Sequence, residues 1–200
     1  MMRAKYFATP FLATALLAMT LVPGAAIGQQ AQPQATTSEV GGATLYSNWN
    51  IVQNATKSPL HTTLIKAISA AGLVGELSAP GPFTLFAPTD KAFAAIPKMT
   101  GWLMNPANSE ALAAVVNFHV VTGRLTSADL YKKIKAGSGT GVLTTVAGEE
   151  LKLTEVQGNI KIEGTQGSVA FITEPDVEQS NGMVHVVNGV LMPSLAQVTR

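Results

Sequence analysis

The chain has 200 residues, no cysteine, and 13 basic against 12 acidic side chains, for a formal charge of +1. The missing thiol excludes disulfides, thiolate metal sites and cysteine nucleophiles together. The near-neutral balance excludes the dense basic surface needed to neutralise a phosphate backbone, so nucleic acid is not an expected partner.

Residues 1–28 begin with Arg3 and Lys5, run on as an apolar stretch rich in Ala and Thr, and end on the small residues Ala26 and Gly28. That order predicts a removable signal peptide. Pro10 and Pro23 break the apolar stretch and no basic stop-transfer flank follows, so no stable membrane insertion is expected after cleavage. The expected location is beyond the inner membrane, periplasmic or extracellular. Residues 29–44, rich in Gln, Thr and Gly, carry too little apolar surface to offset chain ordering and read as a flexible tether. One domain is expected over 45–198.

The first half of that domain reads as helical. Leu60, Leu64, Ile65, Ile68 and Ala71 share one face, and Gly72 is placed to end the helix in the left-handed conformation. His61, near the start of this helix, is expected at the surface. A further turn or two is predicted over 73–77. In "GPFTLFAPTDKAFAAIP" (81–97) an apolar run, Phe83, Leu85 and Phe86, meets Pro88, which cannot donate to a ladder. Thr89 and Asp90 then supply the cap or first-turn acid of a helix closed by Pro97. Asn108 or Ser109 caps a helix with Leu112, Val115, Val116 and His119 in register. Thr126 or Ser127 caps another, with Leu130 and Ile134 facing inward and Gly137 at its end.

The period then changes. Leu151-Lys152-Leu153-Thr154 and Ile160-Lys161-Ile162-Glu163 alternate, and Gly148, Gly158, Gly164 and Gly167 punctuate the run as hairpins require. Residues 182–193 close the sheet. Helices first and an antiparallel sheet afterwards make the fold class α+β.

Chemistry is sparse. No Gly-x-Ser-x-Gly elbow is present, and "GSGTG" at 137–141 lacks the following lysine of a phosphate cradle, so it reads as an inter-element loop. His61, His119 and His185 have no metal-ligand spacing. His119 and His185 lie among apolar neighbours, as structural histidines do. No enzyme, cofactor or metal is expected.

Three blocks carry a resemblance. "TLFAPTDKAF", "NFHVVTGRL" and "SNGMVHVVNGVLMP" stand in the order and spacing of the signature blocks of the fasciclin domain family, covering about Asn50 to Pro193. The resemblance implies a wedge-shaped β-sandwich with an N-terminal helical layer. It implies a non-catalytic adhesion or surface-interaction module that binds a surface protein or an extracellular polysaccharide. The alternative expectation is a carrier or sensor for a small glycan or lipid. Two motifs of animal relatives fall on this chain: Tyr-His on Phe118-His119, without the tyrosine hydroxyl, and Glu-Pro-Asp-Ile on Glu174, Pro175, Asp176 and Val177, with Val for Ile. These six residues are the candidate partner-binding set.

Overall fold

Gly41 and Gly42 both take positive φ (59° and 80°), the backbone a two-residue hairpin turn requires. They join strand β1 (Thr37–Val40) to β2 (Ala43–Tyr46). The computed structural model describes residues 35–195; the signal-peptide expectation for 1–28 lies outside them. The hairpin corrects the tether expectation for the described part of 29–44. Polar composition concealed two apolar anchors, Val40 and Leu45, which are buried against Val177 and Val186.

The helical half follows as α1 (Ile51–Ala55), α2 (Thr62–Ala70) and α3 (Val74–Ser78), then strand β3 (Phe83–Pro88). After it come α4 (Asp90–Ala94), α5 (Pro97–Leu103), a 3₁₀ turn (Pro106–Asn108), α6 (Ser109–Phe118), strand β4 (Val120–Thr122) and α7 (Ser127–Ala136). Pro97 does more than close a helix: it is the first residue of α5, where its missing N–H costs nothing. Five strands complete the fold: β5 (Thr140–Thr144), β6 (Glu150–Val156), β7 (Asn159–Glu163), β8 (Val169–Gln179) and β9 (Gly182–Val187).

Seven strands pair in the order β4-β3-β9-β8-β7-β6-β5. The sheet is mixed rather than antiparallel throughout, because β3 runs parallel to β9 from Phe83 beside Gly182 to Pro88 beside Val187. The two ends of this series approach each other. Thr145 bridges to Val121, and the Val146 N–H donates to the Val120 carbonyl at 2.8 Å.

β3 separates two cores. Leu85 and Ala87 face the helical layer with Leu64, Ile68, Leu112 and Val115, while Phe86 faces the other way with Phe118, Leu130, Leu153, Ile162 and Leu191. A strand buried on both faces reads as a continuous apolar run, and "LFAP" is one. Gly182 lets β9 come this close: a Cβ there would lie 2.1 Å from the Phe83 carbonyl oxygen.

Candidate functional site

The six candidate residues divide into a buried pair and a surface stretch. Phe118 ends α6 with none of its surface exposed, and His119 is 2% exposed. The His119 imidazole is committed at both ends: Nδ1 donates to the Val115 carbonyl at 2.7 Å, and Nε2 accepts from the Leu191 N–H at 3.0 Å. It therefore ties the end of α6 to the chain beyond β9. Burial lowers its pKa to about 4, against the opposing pull of the Val115 carbonyl. In this conformation neither side chain offers an atom to an outside partner.

Glu174–Val177 lies within β8, where the pairing with β9 slips between Ile172 and Glu174 and again between Glu174 and Val177. Pro175 cannot donate to the ladder and Asp176 takes φ of +60°, so the strand bulges here. Pro175 and Asp176 are exposed, Glu174 is half-buried with Oε2 free of any hydrogen bond, and Val177 turns inward. The Asp176 carboxylate accepts from the Ser127 N–H at 2.6 Å and from the Ser127 hydroxyl, so it caps the start of α7 from 49 residues away. Its own N–H donates to His185 Nδ1 at 3.2 Å, and His185 Nε2 donates to the Leu125 carbonyl at 2.9 Å. Burial lowers the His185 pKa as well, opposed by the Leu125 carbonyl and by Asp176. Beside the bulge lies a shallow cleft of about 160 Å³, lined by Ser127, Tyr131, Asn159, Thr173 and Pro175 among others.

The third histidine corrects the sequence expectation. His61 is 3% exposed, its ring set beside Ala87 of β3 and lining the same small cavity as Val40 and Leu45 of the hairpin. Its Nδ1 sits 2.8 Å from the Ser58 hydroxyl, and its Nε2 makes no well-formed hydrogen bond. A serine and a histidine in contact are two parts of a nucleophilic site, yet the orienting third group is engaged elsewhere. Asp90 accepts instead from the Thr62 hydroxyl at 2.7 Å and the Thr63 N–H at 2.7 Å, capping α2, whose own N-cap residue His61 provides no side-chain bond. Sequence reasoning placed Asp90 at the start of α4, where it does sit, and missed that its carboxylate serves α2.

Asn181 of the closing motif also works at a joint. Its Oδ1 accepts from the Ile51 N–H at 3.0 Å, and its Nδ2 donates to the carbonyls of Leu77 and Ala79, both at 2.9 Å. One amide thus satisfies the start of α1 and the end of α3. Among the described residues no group of three or more His, Asp and Glu side chains converges as a metal site would require, and no helix is long and apolar enough to cross a membrane.

Comparison with known proteins agrees with this architecture. The family described as the fasciclin domain matches residues 59–193. Protein sll1483 of Synechocystis is 35% identical over 190 residues, covering 92% of this chain and 98% of that protein. Immunogenic protein MPB70 of Mycobacterium bovis is 30% identical over 199 residues, covering 93% and 95% respectively. Among solved structures, a FAS1 domain pair from the insect cell adhesion molecule Fasciclin I superposes with a TM-score of 0.65 at 20% identity, over 80% of this chain and 58% of that one. At that identity the likeness speaks to the fold alone. With the helical layer, the mixed sheet and the three signature blocks in their structural places, the chain belongs to the fasciclin domain family.

Proposed function

We propose that the protein is an exported, non-catalytic adhesion or surface-interaction module that engages a surface protein or an extracellular polysaccharide through the face around the β8 bulge. One observation carries the reading. Of the two stretches the family resemblance singles out, Glu174–Val177 presents Pro175 and Asp176 to solvent, whereas Phe118 and His119 are enclosed. The bulge is also held firm, by the Asp176 bonds to Ser127 and to His185, and a contact surface fixed in advance loses less entropy on binding. The family's presence in adhesion molecules such as Fasciclin I supports the same direction.

The test is capture by the immobilised full chain of envelope polysaccharide and of cell-surface protein, as two separate arms. Asp176 is unsuitable as a probe because it caps α7. Thr173→Arg and Pro175→Arg alter the exposed face without touching that cap. The reading predicts that they abolish capture while the chain stays folded, with at most a small drop in melting temperature from the lost Thr173 bond to the Val186 carbonyl. Capture that persists undiminished in both variants contradicts it.

A further inference from the structure

We infer that the space under the β1–β2 hairpin is a binding site for a neutral apolar molecule bearing a single hydroxyl, admitted when the hairpin lifts. The inference is independent of the adhesion reading and gives the carrier expectation a place in the molecule. The space lies between the hairpin, α1 and the strands β3, β8 and β9, with apolar walls from Val40, Leu45, Ile51, Leu85, Val177 and Val186. Four polar side chains also reach it: Asn54, Ser58, Gln179 and His61.

Three of those four are spoken for. Asn54 accepts from the Tyr46 N–H at 2.9 Å and donates to the Tyr46 carbonyl at 2.7 Å and to Gln179 Oε1. Gln179 Nε2 donates to the Val177 carbonyl at 3.3 Å, and the Ser58 hydroxyl meets His61 Nδ1. His61 Nε2 is buried without a well-formed hydrogen bond; the backbone of Ala87 faces the ring but leaves this atom incompletely matched. An unmatched buried polar atom costs about 1–3 kcal/mol, which a ligand group pairing with it would recover. A hydroxyl both donates and accepts, so it pairs with whichever tautomer the Ser58 contact selects. An anionic head finds no compensation here: no cation lines the space, and the nearby charge is the Asp90 carboxylate.

The cavity, at about 20 Å³, has room for about one water. A larger guest must therefore take the place of Val40 and Leu45. The hairpin is suited to yield, because its two four-residue strands form a sheet of their own, outside the seven-stranded series. A lone two-stranded hairpin has little independent stability. It is held to the body by Val40, Leu45 and Ala43 packing with Leu60 and Val184, by the Asn54 bonds to Tyr46, and by a contact from Thr36 to Glu178. An alkyl chain in the same groove would cover the valines the hairpin uncovers.

The test uses the full chain with 1-octanol as probe, followed by calorimetry, with octanoate as the charged counterpart. The expected result is saturable one-to-one binding of octanol and none of octanoate, with slower hydrogen exchange in the groove. His61→Phe should weaken octanol at least about tenfold by removing its hydrogen-bond partner. Leu45→Trp, which fills the groove from the hairpin side, should abolish binding and decides the matter if the His61 variant fails to fold. No saturable octanol binding, equal binding of octanoate, or full affinity in a folded Leu45→Trp chain would each overturn the inference.

Discussion

Asp90 and Asp176 hold the starts of helices to which they do not belong. Each accepts a backbone N–H and a hydroxyl from the first turn of a distant helix, α2 for Asp90 and α7 for Asp176. Asp176→Ala should therefore cost about 1 kcal/mol in urea unfolding, while an unchanged midpoint would show that the Thr126–Asp129 capping box suffices alone. Phe118→Ala should cost about 3–5 kcal/mol, the range for emptying a buried aromatic site. These roles were only half legible in the sequence. A cap within three residues of its helix, such as Thr126 with Asp129, can be read from spacing. A cap separated from its helix by 28 or 49 residues cannot, because the fold itself creates the neighbourhood. His61 was misjudged for the same reason, since the residues around its ring, such as Ala87 of β3, lie outside its own helix.

At the scale of elements, local grammar served where each element had its own periodicity. The helices at 62–70, 109–118 and 127–136 and the alternating strands β6 and β7 lie where the pattern put them. The β1–β2 hairpin was hidden by its composition, although Gly41-Gly42 between two alternating runs is a turn signal in its own right. The parallel pairing of β3 with β9 had no local sign, because parallel partners are set by the crossover between them and not by an adjoining turn. Gly182 is the residue on which that pairing depends, so Gly182→Ala should push β9 off Phe83 and lower the melting temperature markedly. Gly42→Ala, at a position open to solvent, should show only the smaller strain of its positive φ. Equal melting temperatures for the two variants would contradict the proposed close approach.

For the molecule as a whole, three buried histidines make the fold sensitive to acid. Burial lowers the pKa of His61, His119 and His185 in the folded state. The unfolded chain, with ordinary imidazoles, therefore binds more protons once the pH drops below about 6.5. Their stabilising contribution is complete above that value and declines as the pH falls; for His119 the loss reaches about 3 kcal/mol below its folded value of about 4. The carboxylates act lower. Asp129, held down to about 2 by the Thr126 hydroxyl and N–H and by Lys132, sheds its contribution only beneath the ordinary carboxylate range. Urea midpoints should accordingly fall between pH 7 and pH 5, before the carboxylates protonate. Such behaviour follows from an interior in which the His119 and His185 imidazoles join separate elements. Imidazole NMR of the folded chain across pH 4–8 tests that most directly. His119 should remain neutral with its proton on Nδ1 through pH 5; a His119 that titrates near 6.5, as a solvated imidazole does, would contradict the account.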